Sequence, residues 1–431
     1  MICKNLARND AGELTFAGVG ITKLAEKYGT PLYLYDEERI REKCRIYLDA
    51  LKAEFGENCQ VMYASKAASF KRIYEIVNSE GLGIDVVSMG EIYTAIKAGF
   101  PLKNAYFHSN NKTDEDIRYA IENGVGRFVV DNEEELYAID KIARGLGKRQ
   151  SVLLRITPGI DPHTYAAVAT GLVDSKFGSS IETGQAEEIT ALALTLENIS
   201  LEGFHCHVGS QLFDEEVYLM TSRVMLGFIK NIYDRLGYMA KSLDIGGGFG
   251  VRYLPEHPEY DIADAIHKIA GFIKKECENL GISVPKISLE PGRSIVADAG
   301  MTVYTVGTVK RIRGYKSYVS VDGGMTDNPR FALYNAPYTL LPIIYNGEET
   351  FEVTVVGRCC ESGDIIQEKV QMPKSIGRGD LIACLTTGAY NYSMASNYNR
   401  IPRPPVVMLS GGKDYLAVRR ESVEDIASLD I

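Results

Sequence analysis

The chain has 431 residues, 45% hydrophobic and 24% charged, a composition that fits a folded globular protein of about two domains and excludes wholesale disorder. A formal net charge of −10 argues against a nucleic-acid partner, because that binding draws on Lys and Arg neutralising phosphates. No segment approaches the ~20 apolar residues that cross a bilayer, and the opening MICKNLARND lacks a basic stretch followed by an apolar run, so no membrane partner and a cytoplasmic location are expected.

In chain order, ELTFAG and PLYLYD within the first ~35 residues read as strand. From residue 60 onward one pattern repeats: a short apolar strand, a turn, then a stretch of helical periodicity. The strands are VMYAS (61 to 65), GIDVV (83 to 87), NAYFH (104 to 108), RFVVD (127 to 131), SVLLRI (151 to 156), LEGFHCHV (201 to 208), SLDIG (242 to 246) and KISLE (286 to 290). Between them GEIYTAIKAG, TDEDIRYAIENG, NEEELYAIDKIARGLG and ADAIHKIAGFIKKECENLG read as helices, several ending in a Gly suited to the C-terminal cap. Eight such units over ~250 residues predict an α/β fold, a (β/α)8 barrel of TIM type, with a doubly wound open sheet as the competing arrangement.

Polar residues gathered at the strand ends favour the barrel. Lys66, Asp85, His108, Asp131, Arg155, His207, Gly246 and Glu290 fall at or near successive strand ends, which a barrel brings to one face. After residue 300 the pattern changes to strands and turns: TVYTVGTVKRI, SYVSVDGG, TFEVTVVG, DLIACLT and VVMLSGG. The expected organisation is therefore a barrel over 36–295 and an all-β domain, of β-barrel or sandwich type, formed by 1–35 and 296–431.

Several residues carry chemistry. Lys66 in VMYASKAAS follows an apolar strand among small residues, where partial desolvation of an ammonium would favour attack on a carbonyl; a solvated charge is the plainer reading. Cys206 lies between His205 and His207, and two His two apart on a strand share a face, a spacing that permits zinc but lacks further local ligands. No metal is expected, and His207 is read as a flat ring for a cofactor. Ser210 is a phosphate donor or a loop cap.

Asp244-Ile245-Gly246-Gly247-Gly248-Phe249-Gly250 sets glycines after the seventh strand, so the turn is either an anion cradle or simply tight; the dinucleotide fingerprint would need a following helix. Glu290-Pro291-Gly292-Arg293 ends the eighth strand with an acid that can meet a protonated ring nitrogen and an Arg that can meet an anion, or the two can pair with each other. Arg358-Cys359-Cys360-Glu361-Ser362-Gly363-Asp364 sets thiols beside carboxylates in a turn; the other cysteines, Cys3, Cys44, Cys59, Cys277 and Cys384, are scattered and read as free thiols. The stretch from Gly388 to Asn399 is rich in Tyr and Asn.

In this order, YASKA, HCHVGSQ, DIGGGFG, EPGR, CESGD and GAY resemble the fold type III pyridoxal-phosphate decarboxylases, a group acting on diaminopimelate, ornithine or arginine, and the likeness spans nearly the whole chain. The resemblance implies a barrel plus β domain and pyridoxal 5'-phosphate as cofactor. It also implies a homodimer whose sites are shared between copies. Lys66 would hold the cofactor as a Schiff base, His207 would stack on its ring, and Ser210, Gly247, Gly248, Gly292 and Arg293 would surround its phosphate. Glu290 would keep the ring nitrogen protonated, a strong electron sink that suits decarboxylation, whereas racemases on a similar barrel place Arg there. Cys360 would donate the proton, and Tyr390 would touch cofactor and substrate.

Substrate choice rests on the distal end. The segment Met325 to Tyr334 resembles the branch that acts on meso-2,6-diaminopimelate, offering Arg330 and Tyr334 beside Arg293 for carboxylates, with Glu361 for an ammonium. The CDGLD pattern of ornithine decarboxylases is absent. One departure is Ala67-Ala68 after Lys66, where relatives often carry Ala-Asn or Ala-Phe. The expected reaction is decarboxylation to L-lysine and carbon dioxide.

Overall fold

A computed structural model describes residues 2–160 and 174–431. It divides into two compact units, Met1–Glu42 with Val251–Glu259 and Ile295–Ile431, and Lys43–Gly250 with Tyr260–Ser294. Residues 251–259, inside the span expected for the barrel, group with the first of these.

The second unit is a closed parallel barrel of eight strands, which decides against the open sheet. In chain order they are Cys59–Ala64, Gly83–Val86, Ala105–Phe107, Arg127–Val130, Gln150–Thr157, Ile199–His205, Ser242–Asp244 and Lys286–Leu289. The ring closes because the eighth strand pairs with the first, Ile287 with Cys59 and Leu289 with Val61. A short strand, Ser179–Ser180, adds to the outside of the fifth.

The sequence dictates these elements locally. Apolar runs rich in Val, Ile and Phe suit strands buried on both faces, as Phe128, Val129 and Val130 are. Helix starts carry their caps: the Thr113 hydroxyl accepts from Asp116 N–H while the Asp116 carboxylate accepts from Thr113 N–H, and Asn132 accepts from Glu135 N–H. Met62, Tyr106, Val129 and Leu153 form one buried cluster among barrel strands, so that region is packed core.

The first unit is a mixed sheet. Its central strand, Gly300–Arg311, pairs with Leu32–Asp36, with Ser317–Val321 and with Leu381–Leu385. Leu32–Asp36 in turn runs parallel to Val406–Ser410, so the N-terminal segment lies between two C-terminal strands. Every residue of Leu32–Asp36 is buried, and Leu32 and Leu34 share a core with Ile21, Met301, Val303, Leu385 and Val407. Among the described residues no helix is long and apolar enough to cross a membrane.

Candidate active site

Within the barrel unit, the turns after the first, sixth, seventh and eighth strands meet. Ala64 N–H donates to Pro291 O at 3.1 Å, which ties the Lys66 turn to the Glu290–Arg293 turn. A Cβ on Gly292 would lie 2.9 Å from the Ala64 Cβ, so only glycine lets these two turns come this close. Lys66 sits in a short 3-10 turn between buried Ser65 and Ala67 and is itself exposed. The desolvation expected from its apolar surroundings is thus not supplied by this chain's own burial.

The sixth strand ends at His205, not at residue 208 as expected. Strand alternation therefore does not place His205 and His207 on a common face. His205 is fully buried and its Nε2 lies 2.9 Å from Glu290 Oε2, while His207 Nδ1 accepts from Gly247 N–H at 3.4 Å. Burial, with Lys66 and Arg155 nearby, holds the His207 imidazole well below its ordinary pKa, so the ring is neutral near pH 7.

Glu290 is buried, and its other oxygen, Oε1, lies 2.8 Å from His108 Nε2. Burial alone would raise its pKa, but the two imidazoles hold it well below the usual carboxylate range. Neighbouring acids go the other way: burial pushes Asp85 up to about 6, and burial with the Glu290 charge pushes Asp244 well above the ordinary value. Of these three buried carboxyls, Glu290 is thus the one driven down rather than up, and so the one held most firmly as an anion. Asp131 accepts from Gly178 N–H at 3.0 Å, and the half-buried Arg155 feels the charges of Asp131, Glu290 and Asp85.

The glycine turn packs against this corner. A Cβ on Gly247 would sit 2.1 Å from Glu290 O, and Gly248 combines φ +107 with a Cβ position 2.3 Å from Gly209 O. Gly247→Ala is expected to lower stability by about 1–3 kcal/mol, read from the denaturant midpoint, because the clash is with backbone that cannot rotate away. Tyr218 donates its hydroxyl to Gly247 O at 3.2 Å and stacks on Phe249 at 4.7 Å, which fixes the turn from behind. Arg293, also buried, donates Nε and Nη2 to Ser210 Oγ at 3.2 and 2.9 Å, so these two expected phosphate groups do come together.

The donor set fits pyridoxal phosphate: an accessible amine for the aldehyde, a neutral flat ring, a buried anion for the ring nitrogen, and Arg293 with Ser210 beside a glycine turn for the phosphate. Among the described residues, the one group of metal-ligating side chains compact enough for an ion is His108, His205 and Glu290, with ligand atoms within 4.8 Å of one another; His207 is outside it.

The remaining expected residues lie in the β unit. Arg330 opens a short helix, Arg330–Tyr334, with its guanidinium 5.5 Å from the Tyr334 ring centroid and 5.3 Å from that of Tyr390. It is buried, and its Nε has no hydrogen-bond partner among the described residues. Cys360 and Glu361 are exposed on their turn; Glu361 Oε1 accepts from Gly363 N–H at 3.2 Å. Sequence reasoning passed over the residue that organises this region, Asp364. Its carboxylate is buried and accepts from Met325 N–H at 2.6 Å and Cys359 N–H at 2.7 Å, tying the segment before Arg330 to the cysteine turn. The signal was a second acid in CESGD with no assigned role.

Residues 37–297 match the family model for the pyridoxal-dependent decarboxylases, specifically their pyridoxal-binding domain. The chain belongs to this family. Its cofactor is pyridoxal phosphate. Over nearly full length it is similar to diaminopimelate decarboxylases from Bacillus subtilis (44% identical, 98% of this chain and 96% of the relative) and Staphylococcus aureus (43%, 97% of each). Among solved structures it resembles the diaminopimelate decarboxylase of M. jannaschii in complex with L-lysine, with TM-score 0.92 and 34% identity over 100% of this chain and 98% of that one. The Helicobacter pylori enzyme complexed with L-lysine gives TM-score 0.87 and 32% identity over 95% and 99%.

Proposed function

We propose that this family member decarboxylates meso-2,6-diaminopimelate to L-lysine and carbon dioxide, the last step of lysine biosynthesis. The observation that carries the substrate is Arg330. A buried guanidinium beside two Tyr rings, with an Nε–H that has no partner among the described residues, is costly when alone and well matched to an arriving carboxylate. Full-length likeness to diaminopimelate decarboxylases supports the same choice.

When bound, pyridoxal phosphate supplies an electron sink for the carbanion left as carbon dioxide departs. The amine of Lys66 would hold its aldehyde, and His207, neutral and flat, would be the ring offered to it. Arg293, Ser210, Gly247, Gly248 and Gly292 take the phosphate, with Arg293 and Ser210 already joined. Glu290, held as an anion, would favour the protonated form of the ring nitrogen. Arg330, Tyr334, Tyr390 and Arg293 receive substrate carboxylates, Glu361 pairs with the distal ammonium, and Cys360 Sγ–H delivers the proton that replaces carbon dioxide.

A homodimer in the cytoplasm belongs to the same reading. Its support is that Leu333, Tyr334, Cys360 and Glu361 are exposed in the single chain, as groups completed by a second copy would be. The test is an absorbance spectrum of the purified protein, then carbon dioxide release with meso-diaminopimelate, ornithine or arginine. A coloured protein that turns over diaminopimelate at least about tenfold faster than the others is expected, a margin one lost charge-assisted contact would supply. Equal turnover of ornithine would defeat the substrate assignment.

A further inference from the structure

Glu290 is not alone at the centre of the barrel. Side chains from three distant strand ends meet there: His108 after the third strand, His205 closing the sixth, and Glu290 after the eighth. The two imidazole rings pack edge to face at 4.9 Å and 73°, and each presents Nε2 to a different carboxylate oxygen, at 2.8 and 2.9 Å. We infer that His108 and His205 are positioning residues for Glu290, a two-imidazole bracket that fixes the plane of its carboxylate and keeps both oxygens as acceptors for the cofactor's ring nitrogen. The inference rests on the cofactor reading above.

The proton inventory follows from the hydrogen bonds. An ionised carboxylate only accepts, so both histidines donate through Nε2–H, and each oxygen keeps a further lone pair. His205 Nδ1 is buried without a partner among the described residues. A neutral Nε2–H ring leaves only an unpaired lone pair there, whereas a protonated ring would bury an unpaired donor and a charge, the costlier outcome. Burial lowers the His205 pKa in the same sense, with Lys66 and Arg155 adding to it and Glu290 opposing. The other groups facing this centre are Asp85, whose carboxylate lies 3.8 Å from His108 Nε2, and Asp244, His207 and Cys206.

Without the bracket, burial and the neighbouring charges of Asp85 and Asp244 would favour the protonated form of Glu290. A protonated Glu290 cannot hold a ring nitrogen protonated. The bracket therefore keeps Glu290 an anion, and so sets the strength of the electron sink. A simple packing role for the histidines predicts no such link to the cofactor's electronics.

The test uses holoprotein loaded with pyridoxal phosphate carrying 15N in its ring, comparing wild type, His205→Leu and His205→Gln. The Gln amide nitrogen reaches roughly where Nε2 stands and donates; Leu fills space without a donor. In His205→Leu the ring-nitrogen resonance is expected to move toward that of an unprotonated pyridine. Its kcat should fall about 10- to 100-fold, with KM within about threefold, the signature of an interaction that matters after binding. His205→Gln should keep the wild-type resonance and a kcat within about fivefold, a rescue no packing role requires.

Should His205→Leu fail to fold, His205→Asn, whose shorter amide cannot reach the carboxylate, takes its place with the same expectation. A donor-less variant with wild-type resonance and kcat overturns the inference. So does stoichiometric zinc in the purified protein that is lost in His205→Leu, which would make these side chains ligands. Failure of the cofactor reading itself looks different: wild type, before any substitution, would give no resonance from bound cofactor.

Discussion

Lys66→Ala is expected to lower turnover on the order of 10³-fold or more and to end covalent capture of the cofactor. The amine stands on a turn whose neighbours, Ser65, Ala67 and Ala68, are all buried, while its own side chain is exposed. Among the described residues no hydrogen bond or ion pair within contact distance rests on it, though its charge favours ionised Asp85 and Glu91, so the variant should melt within a few degrees of wild type. Borohydride reduction followed by peptide mass mapping should label position 66 in wild type and nothing there in the variant. Label on another lysine would sink the assignment, as would a variant retaining more than about a tenth of wild-type turnover, too small a loss for a covalent attachment point. The Arg293–Ser210 pair proposed to take the phosphate remains in the variant, so non-covalent cofactor binding should survive at reduced affinity.

The second large effect is expected at the adjacent thiols, which the structure separates. Cys359 is half-buried, its N–H donates to Asp364, and burial with that carboxylate pushes its thiol up to about 12. Cys360 is exposed, with its N–H anchored on Asn399 Oδ1 at 2.8 Å. A proton donor must reach substrate and release its proton, which Cys359 is poorly placed to do. Cys360→Ala is therefore expected to lower kcat by about 10²- to 10⁴-fold with the cofactor absorbance unchanged. Cys359→Ala should stay within about tenfold of wild type, reflecting lost packing rather than lost chemistry. Equal losses in the two variants would remove Cys360 from the proton-donor role.

The barrel was legible because its signals are short-range. Each strand from VMYAS to KISLE is a run of apolar residues followed by turn residues, and all eight expected strands are present within a few residues of their expected ends. The N-terminal PLYLYD was legible as a strand, but its seat between Gly300–Arg311 and Val406–Ser410 was not, since pairing across most of the chain leaves no local trace. Strands such as Ile365–Pro373 and Lys413–Val418, with mixed polar and apolar residues and partly exposed faces, gave too weak a pattern to pick out.

The residue types of the site, and the family to which they point, were determined by the sequence itself: YASKA, DIGGGFG, EPGR and CESGD are contiguous, and their chemistry is local. Tertiary structure alone decided the partners. His205 looked like a mate for His207 by strand alternation, yet the strand stops at His205, and this side chain turns instead to Glu290 and His108. Glu290 looked equally ready to pair with Arg293, which donates to Ser210. Periodicity fixes which face a side chain takes along its own strand, but barrel closure and register fix which distant strand ends meet, and hence that the two imidazoles reach Glu290 and hold its charge.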